Sequence, residues 1–215
     1  CGRAAAPCAY PGQDARRAFV ARVATGDWDA VIITRGAFER IPMRPEAQEA
    51  YLDAELETLR EALERGRAEG SSNRAVKRMQ QRLDNAQERI KDMIARDYDP
   101  AVTFEATGID YVVVDEAHDY KNLRTASNIA GAAIDGSNRA QDLDMKLHYL
   151  RNKHGHRVVT LATATPIANS ITEAHVMQRY LRPDLLEQAG VLNFDAWAAT
   201  FAATVSDVEL SPDGS

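Results

Sequence analysis

The sequence predicts an α/β fold: a mostly parallel sheet with flanking helices, into which an antiparallel helical hairpin is inserted. Two patterns lead to this prediction. Short apolar, β-branched runs alternate with longer segments of helical periodicity, which is typical of parallel strands joined by crossover helices. Between residues 46 and 97 the apolar residues instead repeat every three or four positions, as in paired helices. With 45% hydrophobic and 27% charged residues, the 215-residue chain has the composition of a globular domain.

The segment before the hairpin is predicted to contain one helix and one strand. Asp14 can cap a helix that carries Phe19, Val20 and Val23, and glycine at position 26 ends it. Residues 30–34, Ala-Val-Ile-Ile-Thr, then have the pattern of a strand buried on both faces.

The hairpin is predicted from two heptad seams separated by a turn at residues 66–73. The first seam consists of Leu52, Leu56, Leu59 and Leu63, and the second of Val76, Met79, Leu83, Ala86, Ile90 and Met93. Residues 46–64 contain seven acids and one base, whereas residues 65–96 contain nine bases and four acids. We therefore expect an acidic helix to lie on a basic one, with the charges directing the pairing more than stabilising it.

Two further strands follow the hairpin, at residues 109–114 and 157–161. A helix with Leu143, Leu147 and Leu150 on one face is predicted between them. After Pro166 another helix is predicted, with Ser170 and Glu173 as a capping box, and Pro183 ends it. Its core-facing residues are predicted to be Ile171, Ala174, Met177 and Leu181, and His175 is expected at the surface or at the boundary of the core.

Composition excludes several classes of protein. The net charge is −6, so a contact with nucleic acid must come from a local basic patch. The chain contains no apolar run of the roughly 18 residues that a membrane helix needs. Two cysteines, Cys1 and Cys8, form no disulfide framework and favour a reducing compartment, which predicts a cytoplasmic location.

The strongest chemical signal follows the strand at residues 109–114, where Asp115, Glu116 and His118 come in close succession. Ligands of open α/β sheets bind at the carboxyl ends of the strands. There Asp115 can hold Mg²⁺ through water, and Glu116 can orient and deprotonate an attacking water. The alternatives are an acidic cap for the next helix, or a metal-dependent nuclease that uses the same three residues but lacks further suitably spaced acids.

A second, weaker signal ends the next strand, where Thr163 and Thr165 precede Pro166. Hydroxyl groups there can pass a change of hydrogen bonding from a nucleotide site to a neighbouring surface. Taken alone, this residue pattern is more often an ordinary turn.

Together the two signals resemble a known family. Residues 115–122, Asp-Glu-Ala-His-Asp-Tyr-Lys-Asn, look like the Walker B (DEAH) motif of the Swi/Snf-type, superfamily 2 helicase-like ATPases. Residues 163–169, Thr-Ala-Thr-Pro-Ile-Ala-Asn, look like their third motif, with Ala164 where the family usually has glycine. Further matching segments are residues 31–34, Glu173, residues 180–181, residues 183–186 and residues 194–197. The likeness is nearest to the large helicase and adenine-specific DNA methylase proteins of plasmids, phages and integrative elements.

The resemblance implies the first RecA-like lobe of a P-loop NTPase, with ATP and Mg²⁺ as cofactors and double-stranded DNA as partner. It assigns Mg²⁺ to Asp115 and the general base to Glu116. Coupling of the ATP state to DNA falls to His118, Thr163 and Thr165. The DNA contacts that it implies are Thr34, Arg35, Lys121 and Asn122.

The likeness also predicts how the chain is divided. Residues 1–45 and 100–205 would form the lobe, residues 46–99 the inserted hairpin, and residues 206–215 a tail. No Gly-x-x-x-x-Gly-Lys-Ser/Thr loop is present, and the second RecA-like lobe is absent as well. We therefore expect the chain to be a fragment that hydrolyses no ATP alone. The alternative function is an interaction module in which the hairpin 46–97 binds a partner and the ATP site has decayed.

Overall fold

The structure is a computed structural model that describes residues 4–5, 13–68, 77, 80–81, 84, 88, 102–127, 129 and 131–203. Most of the second hairpin helix predicted at residues 74–96 lies outside this part of the chain, so the pairing of an acidic with a basic helix stays a prediction. The first hairpin helix is present as a helix of 24 residues, Pro45–Ala68.

The described elements alternate between strands and helices, as the sequence predicted. The strands are β1 (Ala4–Ala5), β2 (Ala30–Val31), β3 (Val112–Asp115) and β4 (Val159–Ala162). The helices are α1 (Gln13–Thr25), α2 (Arg35–Glu39), α3 (Pro45–Ala68), α4 (Asn138–His154), α5 (Thr172–Leu181), α6 (Pro183–Gln188) and α7 (Phe194–Phe201). Short 3₁₀ helices occupy Glu105–Thr107 and Ala117–Tyr120.

The strands form two parallel pairs, β1 with β2 and β3 with β4. In the second pair Val112 lies opposite Val159 and Asp115 opposite Ala162, and the helix α4 connects the two strands. The mixed α/β class and the parallel pairing are therefore confirmed. The parallel register also brings the carboxyl ends of β3 and β4 to the same edge.

The prediction that the strands are buried on both faces is wrong. Val113 is 69% exposed and Ile32 is 65% exposed, whereas Val114 is buried. In the β3–β4 pair, Val112 and Val114 pack against the core, and the side chains that alternate with them point away from it. One face of this pair is thus covered and the other is open to solvent. A run of valines predicts a strand but does not show whether one face or both faces are covered.

The core forms around α4. Ser137 caps this helix by accepting a hydrogen bond from the Ala140 N–H. Leu143, Leu147 and Leu150 are fully buried, as predicted from their spacing. They pack with α1, whose Phe19, Val20 and Val23 are also buried as expected, and with β3 and β4. This core supports the edge where the two strands end.

The face of α5 that is buried in the core differs from the predicted one. Ile171 and Leu181 are 49% and 40% exposed, which contradicts their assignment to the core. The buried face instead includes Thr172, Glu173 and His175 together with Val176, Met177 and Tyr180. Polar side chains can occupy this face because each makes hydrogen bonds there, as with Thr172, which donates to the Ala132 carbonyl at 3.0 Å. His175, expected at the surface or at the boundary of the core, is 1% exposed.

The first half of α3 packs against the body of the domain. Tyr51, Leu52 and Leu56 are buried, and the Tyr51 hydroxyl donates to Asp144 on α4 at 2.8 Å. A second apolar cluster joins α6 and α7 through Leu186, Phe194 and Trp197. Among the described helices, none combines the length and the apolar character required to cross a bilayer.

Candidate functional site

The carboxyl ends of β3 and β4 bring the two sequence signals together. Because Asp115 pairs with Ala162 in register, the residues that follow each strand, Glu116 and Thr163, begin at the same edge of the sheet. Asp115 itself is exposed, and its Oδ1 accepts a hydrogen bond from the Glu116 N–H at 3.0 Å. A carboxylate is thus presented to solvent where a ligand of such a sheet binds.

Glu116 has an unusual backbone conformation. Its φ of 53° and ψ of 48° lie in the left-handed region, and among the described residues no other non-glycine residue has a positive φ. For a residue with a Cβ this conformation costs about 1–2 kcal/mol. It turns the chain sharply from β3 into the 3₁₀ helix Ala117–Tyr120, and it leaves the Glu116 side chain 55% exposed.

His118 connects the two strand ends. Its Nδ1 lies 3.1 Å from Glu116 Oε2 and 3.2 Å from Thr163 Oγ1, while its Nε2 lies 3.7 Å from Asp119 Oδ1. Thr163 Oγ1 in turn accepts a hydrogen bond from the Thr165 N–H at 3.1 Å. A chain of polar contacts therefore runs from the candidate base through His118 to the loop after β4.

A buried carboxylate under this edge has a role that the sequence interpretation missed. Glu173 Oε2 accepts hydrogen bonds from the N–H groups of Ala168 and Asn169, at 2.6 and 3.2 Å. Its Oε1 lies 3.0 Å from Lys121 Nζ. Burial alone would raise the pKa of Glu173, but these three hydrogen bonds outweigh it and lower the pKa. Glu173 thus ties the loop after β4 to the segment after the Asp-Glu-Ala-His sequence.

The predicted capping box of Ser170 and Glu173 is therefore wrong. In such a box the Glu173 carboxylate would accept from the N–H of Ser170. It accepts instead from residues one and two positions earlier, and the Ser170 hydroxyl accepts from the Thr172 N–H. The spacing of the two residues identified an interaction at the helix start but not its partner, because the loop approaches the helix from the site.

The four residues assigned to DNA lie in different surroundings. Thr34 caps α2, accepting a hydrogen bond from the Ala37 N–H, and Arg35 pairs with Asp119. Lys121 is mostly covered and pairs with Glu173. The Asn122 side chain is exposed, while its carbonyl accepts from the Ser137 N–H at 2.8 Å. Three of these side chains therefore make contacts within the protein, and two of those contacts lead to the strand-end site.

The site suits a cation that needs few protein ligands. Within the residues described, no group of three or more histidine, cysteine and acidic side chains is spaced to hold a metal ion. Mg²⁺ is commonly bound through one or two carboxylates, several waters and substrate phosphates. Asp115, a single exposed carboxylate at a strand end, fits that form of binding.

The geometry thus defines an α/β domain with an acidic site at the ends of two parallel strands. A histidine and a threonine connect this site to the neighbouring loop. Residues 10–213 match the model of a family described as a probable helicase domain. The chain belongs to that family.

One curated protein is similar in sequence to this chain. It is the protein named "Defense against restriction protein B" of Escherichia phage P1, which is 26% identical over 184 residues. The alignment covers 83% of this chain but 8% of the phage protein, so the chain spans a small part of that relative's length. No solved structure matches the chain.

Proposed function

We propose that this helicase domain contributes the Mg²⁺ and water side of an ATP site in a DNA helicase or translocase of the Swi/Snf, DEAH type. The observation that supports the proposal most is the position of His118, whose Nδ1 contacts both Glu116 Oε2 and Thr163 Oγ1. These residues belong to the two segments that resemble the Walker B and third motifs. Their contact across the strand ends is the arrangement that coupling between those motifs requires.

Each residue has a distinct task in this proposal. Asp115 would hold Mg²⁺ through water, and the ion would neutralise charge on the phosphates of ATP. Glu116 would orient the attacking water and accept its proton, and its exposed side chain can reach a ligand at the edge. His118 would transmit the state of this site to Thr163 and Thr165, which begin the loop after β4.

Two of the proposed DNA contacts lie beside the same edge of the sheet. Arg35 pairs with Asp119, the residue after His118, and Lys121 pairs with Glu173. A phosphate that approached either cation would compete with the carboxylate that now holds it. DNA binding could therefore alter the contacts around His118 and the loop after β4, which gives a physical route between DNA and the ATP site.

The test is the substitution Glu116→Gln in the full-length protein. We expect ATP hydrolysis to fall about 10²- to 10⁴-fold, the usual contribution of a positioned general base. Nucleotide binding should persist, because the amide leaves Asp115 and its surroundings unchanged. Glu187→Gln, an exposed glutamate on α6, is the matched control and should hydrolyse ATP normally. Near-normal turnover by Glu116→Gln would remove Glu116 from the mechanism.

The alternative, a partner-binding module built on the hairpin, makes a different prediction. Deleting residues 46–97 would also remove Tyr51 and Leu52, which pack against the body of the domain. A shorter deletion, in which a glycine–serine turn replaces residues 60–79, keeps Tyr51, Leu52 and Leu56 and removes the predicted turn with the adjoining ends of both predicted helices. A motor would retain ATPase activity after this deletion, whereas a partner-binding module would lose its partner.

A further inference from the structure

The His118 ring has two competing partners at the strand-end site. Its Nδ1 lies 3.2 Å from Thr163 Oγ1, in a hydrogen bond, and 3.1 Å from Glu116 Oε2, in a close polar contact. Without a proton, Nδ1 would direct its lone pair toward a negative carboxylate oxygen, so the network assigns the proton to Nδ1. One N–H group therefore faces two acceptors, and it makes a full hydrogen bond to only one of them at a time.

The Thr163 hydroxyl is fixed in the position where it meets the ring. Its Oγ1 also accepts from the Thr165 N–H at 3.1 Å, which orients the rest of the hydroxyl group. The loop that carries both threonines is in turn held by Glu173, which accepts from two of its backbone N–H groups. The hydroxyl is thus a well-positioned acceptor for the His118 N–H.

The Glu116 carboxylate is the other acceptor. Its side chain is 55% exposed, so water can satisfy its oxygens while the ring bonds to Thr163. The His118 side chain is 35% exposed, and the torsion that turns an imidazole ring has broad minima, so a small rotation toward Glu116 is easy. A carboxylate also accepts more strongly than a hydroxyl. Without the Thr163 hydroxyl, the ring N–H would therefore bond to Glu116.

We propose that Thr163 positions His118 so that the Glu116 carboxylate remains available as the general base. With the hydroxyl in place, the ring N–H bonds to Thr163 and Glu116 can accept a proton from water. When the loop after β4 moves away, the ring N–H turns to Glu116, and a carboxylate that accepts this bond is a weaker proton acceptor. Thr163 is thus a positioning residue that acts through His118. The inference rests on the proposed role of Glu116 as the base.

The test compares Thr163→Val with the double variant Thr163→Val, His118→Phe in the full-length protein, without DNA. Valine has the shape of threonine but no hydroxyl, so the ring N–H should turn to Glu116. We expect ATP hydrolysis to fall at least about tenfold, because a hydrogen bond to a charged group must then be broken before the base can act. Phenylalanine keeps a ring but has no N–H, so the double variant should recover most of this loss.

Two further variants at the same position support the comparison. Thr163→Ser keeps the hydroxyl and should hydrolyse ATP faster than Thr163→Val by about the same factor of ten. Thr163→Ala lacks the hydroxyl and should behave like Thr163→Val, including recovery when His118→Phe is added. Equal rates with and without His118→Phe would overturn the proposal, because Thr163 would then act on the substrate or through Thr165. Near-normal turnover by Glu116→Gln would overturn the proposed function instead, so the two failures are distinguishable.

Nuclear magnetic resonance of the full chain tests the exchange of partners without any measurement of activity. Glu116→Gln should shift the ¹⁵N resonance of His118 Nδ1 only slightly while Thr163 holds the ring. In the presence of Thr163→Val the same substitution should cause a larger shift, because the ring N–H then bonds to the Glu116 carboxylate. Circular dichroism checks that each variant is folded. Equal shifts with and without Thr163→Val would show that Thr163 does not determine the partner of the ring, and would overturn the proposal.

Discussion

Two glutamates flank the strand-end site, and they are used in opposite ways. Glu116 has a side chain that is 55% exposed, on a left-handed backbone. Glu173 has a side chain that is 4% exposed, with two backbone N–H groups and the Lys121 ammonium as partners. The first is placed to act on a molecule that reaches the edge from solvent. The second holds together the two segments that form the edge.

This difference separates the acting part of the site from the supporting part. The residues that can meet a ligand lie at the end of β3 or directly after it: Asp115, Glu116 and His118. The supporting contacts come from α5, which contributes Glu173 to the loop and Tyr180 to the segment after His118. Changes in the supporting part should therefore alter stability, and changes in the acting part should alter activity with little effect on stability.

The largest effect on stability is expected from Glu173→Ala. The substitution leaves Lys121 Nζ and the N–H groups of Ala168 and Asn169 without their acceptor. We expect the free energy of unfolding to fall by about 3 kcal/mol, as for a buried charge pair that loses one partner. Urea denaturation measures this loss. Glu116→Ala, the matched change at the exposed position, should alter the free energy by less than about 1 kcal/mol; equal losses would contradict the comparison.

The dependence of stability on pH provides a second test of the supporting helix. The pKa of His175 is lowered to about 4 by burial and by Arg179, against an ordinary value of 6.5. A lowered pKa in the folded state means that the stabilisation is complete above pH 6.5 and is lost as the pH falls through 4. We expect the free energy of unfolding to fall by up to about 3 kcal/mol across this window.

His175→Gln should lack this part of the pH dependence, because the amide can donate to the Leu192 carbonyl but does not titrate. The measurement compares the free energy of unfolding against pH for the unmodified chain and for His175→Gln, and the difference between the two curves isolates His175. This difference is needed because burial raises the pKa of Asp142 to about 6, so Asp142 changes the stability with the opposite sign in the same pH range. Parallel curves for the unmodified chain and His175→Gln would show that His175 does not contribute.

The meeting of the candidate site residues at one edge could be predicted from the sequence, because they are close together along the chain and stand at the ends of recognisable strands. Asp115, Glu116 and His118 lie within four positions, and parallel pairing alone places Thr163 beside them. The supporting residues gave a weaker signal. Glu173 was recognised as part of a helix start, but its real partners lie in a loop whose path depends on tertiary structure.

The errors in the predicted fold have a common physical cause. The buried face of α5 was predicted from apolar residues alone, so Ile171 and Leu181 were placed inside and His175 outside. A polar side chain can be buried when it makes a hydrogen bond to a backbone carbonyl, as His175 does with Leu192. Similarly, the apolar run at β3 indicates a strand but not which faces are covered, and Val113 is exposed. Both outcomes depend on partners distant in sequence.

A smaller effect is expected from Tyr180→Phe. The buried Tyr180 hydroxyl lies 2.9 Å from the Tyr120 carbonyl and 3.0 Å from the Ala140 carbonyl, and so joins the segment after His118 to α4. Because this hydrogen bond is between neutral groups, we expect its loss to cost about 1 kcal/mol, well below the cost of Glu173→Ala. Urea denaturation of the two variants side by side checks this order. A cost for Tyr180→Phe that exceeds that of Glu173→Ala would show that the neutral contact is the stronger support.

The smallest effect on stability, and one of opposite sign, is expected from Glu116→Gly. Glycine adopts the φ of 53° at no steric cost, which removes about 1–2 kcal/mol of strain, while its freedom in the unfolded chain costs about 0.5–1 kcal/mol. The net change should be a gain of about 0.7 kcal/mol in the free energy of unfolding, within limits of about 0 and 1.5 kcal/mol. ATP hydrolysis by the full-length protein should fall as in Glu116→Gln. A more stable but inactive variant would show that the strain at this position is retained for the carboxylate. A loss of stability would mean that the Glu116 side chain supports the fold through its contact with His118, and the distinction between the two glutamates would fail.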